Sequence, residues 1–173
     1  MFRVAAPLLI ALALGSCGPA RNAFAPACPV PGLLKPLAEL TRFRAGSQDL
    51  RDLIVRARIV DITGKCEPGD DKNTIVAHAQ LVVDVTRGPA MEGQTYELPA
   101  FIAVTDGGTI LDKAQLILPV EFKGNVDSTR VASKEVPMEI PISQQKSAAA
   151  YQIIGGFQLT QEEVAAWRRN NPK

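Results

Sequence analysis

Between residues 52 and 159 the apolar residues recur mainly at every second position, the period of a strand with one buried face. In Ile75 to Val85, the residues Ile75, Ala77, Ala79, Leu81, Val83 and Val85 share one face, and His78, Gln80 and Asp84 the other. In Ile110 to Phe122, Ala114, Leu116, Leu118, Val120 and Phe122 lie opposite Lys113, Gln115 and Glu121. The alternation returns in Val136, Met138, Ile140 and Ile142, and again in Tyr151, Ile153, Phe157 and Leu159. Leu53 to Ile62 and Tyr96 to Val104 complete an expected set of about six strands.

The residues between these runs have turn chemistry. Glu67-Pro68-Gly69-Asp70-Asp71-Lys72-Asn73, Arg87-Gly88-Pro89, Asp106-Gly107-Gly108 and Lys123-Gly124-Asn125 each offer a positive φ or a proline-set corner. Pro99, Pro119, Pro137 and Pro141 fall inside strand-like runs. Each removes a ladder donor, which assigns them to edges, bulges or points where a strand changes sheet. Successive strands without long helices between them exclude an alternating parallel architecture. The expected fold is mainly β: an antiparallel β-sandwich, immunoglobulin-like, with an open barrel as the alternative.

Two segments depart from the period of two. Leu33, Leu34, Leu37, Leu40 and Phe43 recur at helical spacing, with Pro36 suited to a first turn, so a short helix or a turn of helix is expected there. Near the C-terminus Thr160-Gln161-Glu162-Glu163 matches a capping box, flanked by Leu159 and Val164 as a hydrophobic staple. Arg168 and Arg169 follow where the helix dipole favours cations. A C-terminal helix over 161–169 should pack Val164 and Trp167 onto the sheet. Residues 18–32, GPARNAFAPACPVPG, have no period and read as a tether. The expected organisation is a leader at 1–16, an N-terminal tether at 17–32 and a single domain at 33–173.

With 46% apolar and 21% charged residues, the chain is too hydrophobic for disorder, and 173 residues suffice for one domain. Its 19 basic and 18 acidic side chains give no basic footprint for nucleic acid, and no nucleic-acid partner is expected. The leader changes the picture further. Arg3 precedes Val4 to Leu14, an aliphatic run broken only by Pro7, and Gly15, Ser16 and Cys17 follow. A spanning helix needs about 20 apolar residues. A positive start, a shorter apolar run and a small-residue end describe a secretory signal instead.

Leu14-Gly15-Ser16-Cys17 resembles the lipobox of bacterial lipoproteins. The resemblance implies that Cys17 is acylated, as with palmitate, and becomes the first residue of the mature chain. Its partner is then the membrane, held through N-terminal acyl chains, of which two or more make a stable anchor. Gly18, where an aspartate would favour retention in the inner membrane, implies the outer membrane, facing the periplasm. The alternative is an ordinary secretory leader. With Cys17 so assigned, Cys28 and Cys66 form an even pair in an oxidising compartment and are expected to be disulfide-bonded. A reactive thiol pair or a zinc site is the alternative, but there is no C-x-x-C spacing and His78 is the sole histidine. Beyond the lipobox, Cys28-Pro29, Leu40-Thr41-Arg42-Phe43, Phe101-Ile102-Ala103-Val104, Ile140-Pro141-Ile142 and Gly156-Phe157-Gln158-Leu159-Thr160 resemble small envelope lipoproteins of alphaproteobacteria. This implies a location and a single domain, and transfers no activity.

Candidate chemistry is sparse. His78 stands on the polar face of its strand without a nucleophile motif in the chain. Asp70-Asp71 and Glu162-Glu163 are explained by a turn and a helix start, and the segment from Glu67 to Asn73 lacks EF-hand spacing for calcium. Gly107-Gly108 reads as a hairpin turn rather than a phosphate cradle. Gly155-Gly156 inside a strand signal marks a bulge or a close backbone approach, or an edge where a partner strand or ligand comes near. No catalytic residue, metal or cofactor is expected. The reading is a non-enzymatic, lipid-anchored envelope lipoprotein that binds or scaffolds an envelope protein, or assists its assembly, by sheet-edge contact. A small-molecule or lipid carrier with a barrel-like cavity is the alternative, and an envelope enzyme a third.

Overall fold

The computed structural model describes residues 28–170, which form nine strands, three 3-10 turns and one helix. The strands are β1 (Val30–Leu33), β2 (Glu39–Phe43), β3 (Leu53–Pro68), β4 (Thr74–Arg87), β5 (Thr95–Asp106), β6 (Thr109–Glu121), β7 (Ser128–Ala132), β8 (Val136–Pro141) and β9 (Gln152–Phe157), and the helix is α1 (Gln161–Asn170). One sheet has the order β1-β9-β5-β6, and the other runs β2-β3-β4-β7, with β8 pairing β4 beside β7. The sheets stack as an open sandwich and do not close into a barrel. All pairs are antiparallel except β1 with β9, so the first sheet is mixed.

Alternation sets the core. Ala77, Ala79, Leu81, Val83 and Val85 of β4 are buried against Leu98, Ala100, Ile102 and Val104 of β5, together with Leu118, Val120, Phe122, Met138, Ile140, Ile153 and Phe157. In β3 the inward positions are Val55, Ala57 and Ile59, then Ile62: a bulge between Ile59 and Asp61 shifts the parity by one. The strand then continues to Pro68, beyond the expected Ile62, because β4 pairs it from Val55 as far as Pro68. Pro119, Pro137 and Pro141 lie on the edge strands β6 and β8, and Pro99 lies on β5 just outside its pairing with β9, which starts at Ala100. At the tip of the β5–β6 hairpin, Gly107 (φ 54°) and Gly108 (φ 92°) occupy two consecutive positive-φ positions, which suits a two-residue primed turn.

The N-terminal part differs from the expectation. The helical spacing between Leu33 and Phe43 resolves into one 3-10 turn, Lys35–Leu37, with Pro36 in its first positions, and strands on both sides. Val30–Gly32, expected to end a tether, form β1 together with Leu33 and pair with β9. The residues before Cys28, Cys17 among them, lie outside the described residues. Among the described residues, no helix is long and apolar enough to cross a membrane. The C-terminal helix begins as expected, with both bonds of the capping box formed: the Thr160 N–H donates to Glu163 Oε2 at 2.7 Å and the Glu163 N–H to Thr160 Oγ1 at 3.2 Å.

Candidate functional site

Cys28 and Cys66 are disulfide-bonded, with Cα atoms 6.0 Å apart. Cys28 sits just before β1 and Cys66 on β3, so the bond ties the edge of one sheet to the other. Gly155 and Gly156 are not at an edge. Both are buried on β9, which runs between β1 and β5: Gly155 is in register with Leu33 of β1 and Ile102 of β5, and Gly156 with Phe101 of β5.

Close approach, rather than a bulge or a docking edge, explains both glycines. A Cβ on Gly155 would stand 2.6 Å from Leu81 Cδ2 and 3.0 Å from Ile62 Cδ1. One on Gly156 would stand 2.8 Å from Leu37 Cβ and 2.8 Å from the Phe101 ring. Gly155→Ala should therefore cost about 1–3 kcal/mol of stability, the usual range for overpacking that side chains partly relieve. Denaturant unfolding measures it, and an unchanged midpoint would show that Leu81 moves aside freely.

His78 lies on the outer face of β4, its Nε2 3.8 Å from Glu67 Oε2, outside hydrogen-bond reach. Asp71 Oδ1 accepts from the Asn73 N–H at 2.7 Å and from Thr74 Oγ1 at 2.9 Å, so this carboxylate shapes its turn. Among the described residues no cluster of histidine, cysteine and carboxylates could hold a metal.

The outer face of the second sheet carries a transverse row of alternating charge. Glu39, Arg58, Asp84 and Arg130 stand in register across β2, β3, β4 and β7. Arg58 donates to Glu39 at 2.8 Å, and Arg130 Nη2 to Asp84 Oδ2 at 2.8 Å. The hydrogen bond from Arg130 holds the Asp84 carboxyl below the usual carboxylate range, and the Arg58 charge adds to this. The next row, Thr41, Arg56, Thr86 and Ser128, contains a single cation, and among the described residues the Arg56 side chain makes no ion pair or hydrogen bond.

A groove of about 900 Å³ lies between β2 and α1. Its strand wall includes Thr41, Phe43 and Arg56, and its helix wall includes Glu162, Ala166 and Arg169. The sequence fixes the spacing of the walls through Arg42, which shares the inward parity of Leu40 and reaches the end of the sandwich. Its Nε donates to Glu163 Oε1 at 3.1 Å and its Nη1 to the Tyr96 hydroxyl at 3.4 Å. Partial burial alone would lower the Arg42 pKa, but these two hydrogen bonds outweigh it and hold the guanidinium above its ordinary value. Arg42 thus joins β2, β5 and α1. Trp167 and Val164 are half-buried, with Trp167 among the groove residues.

Chemically, the groove offers cations, the aromatic rings of Phe43 and Trp167 and a strand edge. The Ser47 hydroxyl in its lining is held by its own turn, donating to Asp52 Oδ2 at 2.7 Å and accepting from the Asp49 N–H at 3.1 Å. Arg42, Arg56 and Arg169 carry no motif, and the sequence gives no signal that they converge. Compared with protein-family models, with curated proteins and with solved structures, the chain has no match.

Proposed function

We propose that this chain is a lipid-anchored lipoprotein of the bacterial cell envelope whose domain is a non-enzymatic binding module facing the periplasm. The Cys28–Cys66 disulfide carries the reading. Such bonds belong to oxidising compartments, and pairing these two leaves Cys17, directly behind the apolar leader, as the remaining cysteine. A carrier is disfavoured because the space between the sheets is filled by Leu98, Ile102, Phe122 and Phe157, and Gly155 leaves its side-chain position to Leu81.

The test is metabolic labelling with a palmitate analogue of the full chain, expressed with its own leader in a Gram-negative host. The wild type should incorporate label and fractionate with membranes. Cys17→Ser should lose essentially all of it, because acylation needs the thiol. Unlabelled, soluble wild-type protein would overturn the proposal.

A further inference from the structure

We propose that the groove between β2 and α1 seats an extended acidic segment of a partner protein, which adds to β2 as a further strand. The proposal deepens the binding-module reading and rests on it. The first support is the free edge. The Ile59 N–H donates to the Ala38 carbonyl at 2.9 Å, which fixes the alternation along β2. Leu40 and Arg42 direct their backbone groups to β3, while Glu39 and Thr41 direct theirs away from it, towards the groove.

The second support is a contrast among the edges. Proline on an edge strand blocks further pairing, and Pro31 lies on β1, Pro119 on β6, and Pro137 and Pro141 on β8. β7 has none but lies beside β6. β2 is free of proline and faces an open groove.

Size and charge then define the occupant. A strand takes about 3.4 Å of length, 4.8 Å of width and 10 Å of depth per residue, or roughly 800 Å³ for a segment as long as β2. The groove holds about 900 Å³. Side chains of an added strand alternate, so one placed opposite Thr41 stands on the outer face of the sheet. Thr41 is short, and Arg56 lies directly behind it. Arg56 and Arg169 face the groove from its two walls without ion pairs among the described residues, whereas Arg42 and Arg58 are held by Glu163 and Glu39. Among the described residues Glu162 is the one groove carboxylate without an ion pair, so their unbalanced charge is positive and favours carboxylates at alternate positions of the incoming strand.

The experiment uses the full chain in detergent micelles and two labelled peptides, end-blocked, alternating glutamate with valine or lysine with valine, read by fluorescence anisotropy. The glutamate peptide should bind about tenfold or more tightly than the lysine peptide, and more weakly as salt is raised. Thr41→Pro removes an N–H that β3 does not use and should weaken binding about tenfold. Arg56→Glu, on an exposed face, should weaken it comparably and serves if Thr41→Pro fails to fold. Equal affinity for both peptides, no binding of either, or binding indifferent to Arg56→Glu would overturn the proposal. So would self-association dispersed by Thr41→Pro, which assigns the edge to a second copy. The same assay on Cys17→Ser separates the two readings: peptide binding there should be unchanged, whatever the outcome of acylation.

Discussion

Replacing Cys28 and Cys66 together by alanine is expected to lower the unfolding free energy by about 3–4 kcal/mol, and the melting temperature by about 10 °C. The bond spans 38 positions, and releasing a loop of that length returns this much entropy to the unfolded chain. Alanine is the informative replacement. Cys28 is buried and Cys66 packs against the core, so serine would add the cost of an unsatisfied hydroxyl. The folded state has a local reason to respond as well. β1 is short, stands at an edge, and pairs as a strand with β9 alone, so the disulfide is its covalent link to the opposite sheet. Amide exchange should therefore accelerate most at β1, beginning with the Val30 N–H, which donates to the Tyr151 carbonyl at 3.2 Å. A loss of less than about 1 kcal/mol in denaturant unfolding would show that the loop is equally constrained without the bond.

The interior of the sandwich was legible because alternation and burial coincide there. Ala77 to Val85 on β4 and Leu98 to Val104 on β5 face one another as their spacing requires. The strands that alternation does not reveal are β1, β2 and β7, which are short and at edges. Each buries too few side chains on one face to imprint a period. The misleading helical spacing from Leu33 to Phe43 has the same origin. Leu40 enters the core, Leu37 covers Gly156, and Phe43 borders the groove, so three neighbours rather than one helix face account for the pattern.

The groove was not legible at all. Arg42 and Glu163 are 121 positions apart and meet only because α1 lies beside β2. Arg56 reads locally as one more charge on a solvated face. Its significance lies in what its row lacks, namely a carboxylate in register on β2 or β4. Gly155 and Gly156 show the converse: the sequence left a bulge, a close approach and a docking edge open there, and only the strand order and the crowding by Leu81, Ile62, Leu37 and Phe101 single out close approach.

Gly88→Ala is expected to be among the most damaging single-methyl substitutions in the protein, costing about 3–5 kcal/mol, in the range reserved for strain that backbone must absorb. Its place between Arg87 and Pro89 suggests a turn that needs a positive φ, yet Gly88 is not among the positive-φ glycines. The constraint is contact. A Cβ there would stand 2.0 Å from the Leu53 carbonyl oxygen and 2.5 Å from its carbon, against 3.0 Å as the closest approach that real Cβ atoms make. Neither side can yield cheaply. The Leu53 carbonyl accepts from the Ala90 N–H at 2.9 Å, and Gly88 itself donates to the Ile54 carbonyl at 2.8 Å. Moving the segments apart breaks both bonds, worth about 1 kcal/mol each, in addition to the overpacking. It also disturbs Leu53 where it pairs with Phe43, next to the register shift at which β3 carries the extra residue Ile54. Gly32→Ala is the matched control: its φ is not positive either, and no atom lies within 4 Å of the added carbon, so it should be neutral or slightly stabilising. Unfolding free energies of the two variants within about 1 kcal/mol of each other would refute the argument from contact. Because β2 is paired to β3 through this corner, Gly88→Ala should also loosen the strand that forms one wall of the groove.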